Sequence, residues 1–167
     1  MPEPIAVVDY QVCWADVFET LRTSVAACLG SVAVRIEHVG STSVPGLAAK
    51  PIIDMDVVVA STADLPLAIE RLGALGYVHQ GDLGIPGREA FHTPPDHPPH
   101  HLYVCTADGE ELHRHLLFRD YLRTHSENAK AYSELKKDLA VRFRNDRNAY
   151  SEAKTEFVRE ILKRASG

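Results

Sequence analysis

The chain has 167 residues, 45% of them apolar and 25% charged, which is globular composition and enough length for one domain with a sizeable core. A net charge of −5 and a pI near 6.0 argue against non-specific binding to a nucleic-acid backbone as the main task. Three scattered cysteines without a CxxC pair, an N-terminus lacking signal-peptide features and an apolar stretch (Met55 to Ala60, with Asp56 inside it) far too short for a bilayer all fit a reducing cytoplasm, the expected location.

The spacing of Trp14, Phe18, Leu21, Val25 and Leu29 predicts an N-terminal helix. Val32 to Val39 reads as a strand, and Ile52 to Ala60 as a strong, mostly buried one. Ser61 with Asp64 forms a capping box for a helix through Leu75. Tyr77 to Gln80, Ala90 to Thr93 and His101 to Thr106 are short strand candidates. The proline-rich run from Thr93 to His100 is a rigid loop.

All ten prolines lie at or before Pro99, and no glycine falls between Gly109 and Gly167. Residues 110–167 should therefore be long helices. Three apolar sets at helical spacing support this, namely Leu112/Leu116/Tyr121/Leu122, Tyr132/Leu135/Leu139/Phe143 and Tyr150/Ala153/Phe157/Ile161. Thr124 with Glu127 suggests a capping box opening the second of them. The expected fold class is α+β: a mixed β-sheet core over 1–108, with an N-terminal helix, and a helical region over 109–167, in one domain. Residues 1–109 carry 5 Lys/Arg against 13 Asp/Glu, and residues 110–167 carry 13 against 10. The two parts either face each other across a cleft, or the basic tail is a solvated helical surface.

The informative segment runs from Glu37 to Val59. A strand ends at Val39, a Gly40-Ser41-Thr42-Ser43 turn follows, and the next strand carries Asp54 and Asp56. Two residues apart on a strand, these carboxylates share one face and stand roughly 7 Å apart. Partly desolvated, they repel unless one is protonated or a cation lies between them. Mg²⁺ suits such a pair, because it takes one or two carboxylates plus phosphate and water oxygens. The alternative is an edge strand with two solvated acids. Gly40 and Ser41 suit phosphate oxygens through close backbone approach and a hydroxyl. The spacing of a P-loop is absent, since Gly46 is followed by Leu47 and Lys50 is not adjacent.

Gly40-Ser41 followed by Asp54-Met55-Asp56 resembles the signature of the DNA polymerase beta-like nucleotidyltransferase superfamily. The longer string HVGSTSVPGLAAKPIIDMDVVV resembles one branch of it, the GrpB family, as do GDLGIPGREAF, HHLYVC, FRDYLRTH and YSEAKTEFV. The resemblance covers the chain from about Tyr10 to Arg164. It implies a nucleotidyltransferase-like core in which divalent ions, Mg²⁺ or Mn²⁺ with zinc as the alternative, bridge Asp54 and Asp56 to a triphosphate. It also implies that Gly40, Ser41 and Ser43 contact phosphate. A domain of this kind also occurs fused to dephospho-coenzyme A kinase.

The superfamily pattern has a third carboxylate on a later strand, and His101 to Thr106 holds no acid. His101 or Tyr103 would stand there instead, or Glu37 on the earlier strand would supply the missing ligand. His101 is thus a candidate for metal binding and catalysis, since Mn²⁺ or Zn²⁺ accepts nitrogen. His92, His97, His100 and His101 crowd into ten residues, which allows a zinc site with the aspartates or a loop of solvated histidines. His38 is a weaker candidate. Arg88 either forks a phosphate or carboxylate, or pairs with Glu89 or Asp82. Lys154, one turn after Tyr150, reaches a phosphate if its helix covers the cleft. Arg119 and Asp120 read as ion-pair members.

The leading expectation is a metal-dependent nucleotidyltransferase-like protein acting on a nucleoside triphosphate and a small-molecule acceptor. The others are a non-catalytic nucleotide- or coenzyme-binding regulatory module, and a metal-dependent phosphate-ester hydrolase. The mildly basic tail leaves RNA open as a partner; DNA and membranes are not expected.

Overall fold

Ile53, Met55, Val57 and Val59 are almost wholly buried on one side of a single strand, which places that strand at the centre of the molecule. The computed structural model describes residues 4–167. Helix α1 spans Cys13–Leu29, strand β1 Arg35–Val39 and strand β2 Ile53–Val59. Helix α2 follows at Leu65–Ala74, then β3 (Val78–Gly81), β4 (Arg88–His92) and β5 (His100–Thr106). Helices α3 (Glu110–Thr124), α4 (Ser126–Arg142) and α5 (Arg147–Ser166) complete the chain.

The strands form one sheet in the order β1-β2-β5-β4-β3. Among the described strands, β2 and β5 pair in parallel and the other neighbours pair antiparallel. The β2–β5 connection carries α2 and the β3–β4 pair, as a parallel crossover requires. On one face Met55 and Val57 join Leu102 and Val104 of β5 under Phe18, Val25 and Leu29 of α1 and Leu72 of α2. On the other face Val58 and Cys105 lie under Leu112 of α3. Alternation along β2 thus sends odd positions to the core and Asp54 and Asp56 to the face that the tail helices cover. The possibility of an edge strand is excluded, because β2 has β1 and β5 on either side.

The tail is three helices, as the absence of proline and glycine predicts. Tyr132 and Ala129 of α4 pack with Ile161 of α5 and Leu122 of α3 over Val44 and Leu47 of the loop before β2. The Ser61–Asp64 capping box is present, and opens a 3₁₀ turn (Thr62–Asp64) that leads into α2. Two local expectations need correction. The residues from Gly30 to Val32 form a 3₁₀ turn, so β1 begins later, at Arg35. Thr124 does not cap α4: its hydroxyl donates back to the carbonyls of Asp120 and Tyr121, closing α3 instead. Among the described residues no helix is long and apolar enough to cross a membrane.

Candidate active site

Register assembles the acidic face. Asp54 lies opposite Val39 of β1 and His101 of β5, and Asp56 lies opposite Glu37 and Tyr103. Residues opposed in a sheet share a face, so both aspartates, Glu37, His101 and Tyr103 look the same way. The chain leaves β1 through Gly40, whose φ is +74°. A Cβ there would stand 2.2 Å from Asp54 Oδ2. Glycine is therefore needed twice over, for the left-handed backbone and for the carboxylate seated against it. Residues Ser41–Ser43 then form one 3₁₀ turn, tied by the Ser43 hydroxyl to the Gly40 carbonyl at 2.5 Å.

Three side chains hold this turn from behind. His38 stacks on Phe18 at 4.5 Å, and its Nε2 hydrogen-bonds Thr42 Oγ1 at 2.9 Å. Burial, reinforced by the Arg123 charge, lowers its pKa to about 4, so the ring is neutral near pH 7. Arg123 of α3 donates to the Ser43 carbonyl at 3.0 Å. Arg119, one turn earlier, donates to Glu37 at 2.7 Å and to the His38 carbonyl at 3.1 Å. Arg119 does pair with Asp120, as its neighbourhood suggested, but its larger role joins α3 to β1.

The two aspartates differ. Asp54 is partly exposed and takes a 2.8 Å hydrogen bond on Oδ1 from His101 Nδ1. Asp56 is 1% exposed, and its Oδ2 lies 2.6 Å from Nδ1 of His115 on α3. The far nitrogen of His115 lies 3.1 Å from Glu111. Burial pushes the Asp56 carboxyl up, while the His115 bond pulls the other way. Burial also opposes charge on His115, but the Asp56 bond and the surrounding acids outweigh it and raise that pKa. The pair therefore holds a shared proton strongly. Asp56 Oδ1 remains buried without a hydrogen-bond partner.

Next to Asp54 a cavity of about 130 Å³ opens, lined by Ser41, Thr42, Asp54, His101, Tyr150 and three lysines, Lys50, Lys136 and Lys154. That volume is below the roughly 300 Å³ of a pocket that encloses a whole small molecule, so it suits only the charged end of one. Lys136 is 2% exposed, and neither its Nζ nor the Tyr150 hydroxyl has a hydrogen-bond partner. Burial, with Lys154 and Lys50 nearby, lowers Lys136 to about 6. Burial and Lys50 lower Lys154 to about 8. Each of these two Nζ atoms lies over a tyrosine one turn before it, Lys136 over Tyr132 at 4.4 Å and Lys154 over Tyr150 at 4.5 Å. Two orphaned donors in a lysine-lined cavity beside a Gly-Ser turn have the chemistry to receive the oxygens of an anion. A larger cavity of about 630 Å³ runs between Asp9, the 45–48 loop and α4, but neither Asp54 nor Asp56 lines it.

The sequence candidates thus separate. Asp54, His101, Ser41 and Lys154 converge on the lysine cavity. Gly40 touches Asp54, and Ser43 braces the turn. Glu37 is on the right face but is held by Arg119. Arg88 stands two strands from Asp54, stacked on Tyr103 at 4.4 Å, and does not line that cavity. The histidine cluster does not converge as a zinc site would require: His92 bonds Gln80, His97 bonds Asp96, and His100 bonds Tyr77. Among the described residues no three His, Cys, Asp or Glu are grouped to hold a metal. Sequence reasoning missed Lys50, Lys136, Glu111 and His115.

The mixed five-stranded sheet, with paired aspartates on an interior strand approached from a Gly-Ser turn, has a nucleotidyltransferase-like fold. The Cid1 RNA terminal uridylyl transferase shares it, with a TM-score of 0.55 at 19% identity over 81% of this chain and 44% of that one. The chain belongs to the GrpB family: the family model described as GrpB protein matches residues 4–164. The crystal structure of the conserved protein GrpB from Enterococcus faecalis is 36% identical, with a TM-score of 0.87 over 96% of both chains. The UPF0157 protein YqkA of Bacillus subtilis is 37% identical over 155 residues, which are 93% of this chain and 45% of YqkA. This chain thus spans under half the length of that relative.

Proposed function

We propose that this protein is a metal-dependent nucleotidyltransferase that binds a nucleoside triphosphate and transfers its nucleotidyl group to a hydroxyl or phosphate on a small molecule. The observation that carries the reading is the adjoining of two features: the Asp54/Asp56 face and a three-lysine cavity with two unpartnered donors. A phosphate chain laid from Asp54 toward Lys136 would pair those donors and offset the cationic crowding.

The residues present fit a hard divalent cation. Asp56 Oδ1 is an orphaned buried acceptor, and the partly exposed Asp54 carboxylate has its Oδ2 seated against the Gly40 backbone. Two carboxylates plus phosphate oxygens are the usual Mg²⁺ set, which needs no three-side-chain cluster. Asp54 and Asp56 would hold the ion, which supplies charge stabilisation at the phosphorus undergoing substitution. The remaining work falls to this chain's own groups. The Ser41 hydroxyl and turn amides would orient the phosphates, and Lys50, Lys136 and Lys154 would stabilise charge building on the departing pyrophosphate. His101, 2.8 Å from Asp54, would orient that carboxylate beside the acceptor. A small acceptor is favoured because a net charge of −5 argues against strong electrostatic binding to a polymer backbone.

Calorimetric titration of a non-hydrolysable nucleoside triphosphate tests the reading. Binding should require Mg²⁺, weaken at least tenfold in Asp54→Asn, and weaken similarly in Lys154→Ala. Binding of equal strength without Mg²⁺ and in Asp54→Asn would contradict it, and would favour a regulatory module that only holds the nucleotide.

A further inference from the structure

Strand β5 offers the acidic face His101 and Tyr103 and no carboxylate. The group that reaches Asp56 comes instead from α3, which returns across this face of the sheet. His115 uses both ring nitrogens between two acids, Nδ1 at 2.6 Å from Asp56 Oδ2 and Nε2 at 3.1 Å from Glu111 Oε1. Glu111 and His115 are four residues apart, so they stand one above the other on a single helix face. The His115 bond occupies Oδ2 of Asp56 and leaves Oδ1 buried and free.

A buried carboxylate held on one oxygen has its rotation restrained by that bond. We propose that His115, oriented by Glu111, is a positioning residue that fixes the Asp56 carboxylate so that Oδ1 faces the cation, a helix-borne support in a chain whose β5 has no acid. This rests on the reading of Asp56 as a cation ligand. The arrangement has the logic of outer partners that hold metal-binding carboxylates, whose loss typically weakens metal affinity about 10–100-fold. His101 makes the corresponding bond to Asp54 from the exposed side. Each aspartate therefore has one imidazole on one oxygen and one oxygen left over.

A purely structural staple between α3 and β2 would give the same contact, so the test must separate affinity from stability. The full chain would be titrated with Mn²⁺ in the presence of α,β-methylene-ATP, with free Mn²⁺ read by electron paramagnetic resonance and thermal unfolding followed in parallel. His115→Leu should weaken Mn²⁺ binding about 10–100-fold. His115→Asn, whose amide can donate to Asp56 from near the Nδ1 position, should recover most of that loss. Wild-type affinity in His115→Leu would overturn the proposal. So would equal weakening in the Leu and Asn variants with matching losses of thermal stability, which would mark a staple. Asp56→Asn serves as the control: if it binds Mn²⁺ as the wild type does, the Asp56 ligand reading itself fails, and this inference with it.

Discussion

Lys136 is 2% exposed and has no hydrogen-bond partner, yet it lies in a cavity with two other lysines and one aspartate. Burial lowers its pKa from 10.5 to about 6. Between those values the unfolded chain carries a proton that the folded chain lacks, so this residue makes stability rise with pH across that window. Below about pH 6 both forms are charged and the full penalty of burying an ammonium remains. Lys136→Met should therefore stabilise the protein, by about 1–4 kcal/mol near pH 7, a gain that shrinks as pH rises toward 9. Chemical denaturation at both pH values checks this, and a loss of stability at pH 7 would show that the side chain serves the fold. The same substitution should weaken triphosphate binding, the usual exchange of stability against a functional charge.

The local part of this site was legible in the chain. Asp54 and Asp56 stand out because a period of two on a very apolar strand leaves them on one face, and Gly40-Ser41 stands out because it follows a strand closely. Lys136 was hidden among the many charges of the tail, where it reads as one more solvated lysine. A signal did exist: Tyr132/Lys136 and Tyr150/Lys154 repeat the same spacing on two helices, and in each the lysine shares the buried stripe with its tyrosine. His115 had no local signal. It reaches Asp56 across 59 positions of sequence, and only the packing of α3 over the sheet decides which of its polar residues point inward.

Among the elements, α3 does most to position the site. Its side chains hold Glu37, the His38 and Ser43 carbonyls and Asp56, through Arg119, Arg123 and His115. The chain around Phe118-Arg119-Asp120 reads locally as helix with intrahelical or interhelical ion pairs, and the Arg119–Asp120 pair is half the finding. The rest, the bond to Glu37, depends on where α3 lands. Arg119 and Glu37 are 12% and 22% exposed, which puts their pair well beyond a surface contact. Arg119→Met would leave the Glu37 carboxylate with the looser ion pair to Arg35, at 3.7 Å. We expect a loss of about 1–3 kcal/mol in urea denaturation, with faster amide exchange confined to the α3 turns nearest β1. Exchange and stability both unchanged would show that apolar contacts alone seat the helix. Of the two capping boxes read from the sequence, Ser61–Asp64 forms and Thr124–Glu127 does not, because Thr124 has backbone carbonyls of α3 within reach as well as the amides of α4, and it takes the former.

Across the molecule, the division of charge has a spatial meaning. The acidic residues 1–109 supply Asp54 and Lys50 to the cavity, and the basic residues 110–167 supply Lys136 and Lys154, so that the two parts meet there. The tail is therefore a wall of the candidate site as well as a solvated surface. The fold class, the central place of β2 and the three-helix tail all follow from apolar periodicity and from where proline and glycine stop. The cavity between sheet and tail does not, because it is set by long-range packing of α4 and α5. The central claim, that this cleft holds a metal–triphosphate complex on Asp54, is tested most directly by thermal unfolding with each nucleoside triphosphate, with and without Mg²⁺ or Mn²⁺, in the wild type and Asp54→Asn. A ligand at 100 times its Kd adds about 2.7 kcal/mol, or roughly 5–10 °C in a domain of this size. The account predicts that shift for at least one triphosphate, only with metal, and its disappearance in Asp54→Asn. No shift with any triphosphate, or one that ignores both the metal and the substitution, would contradict it.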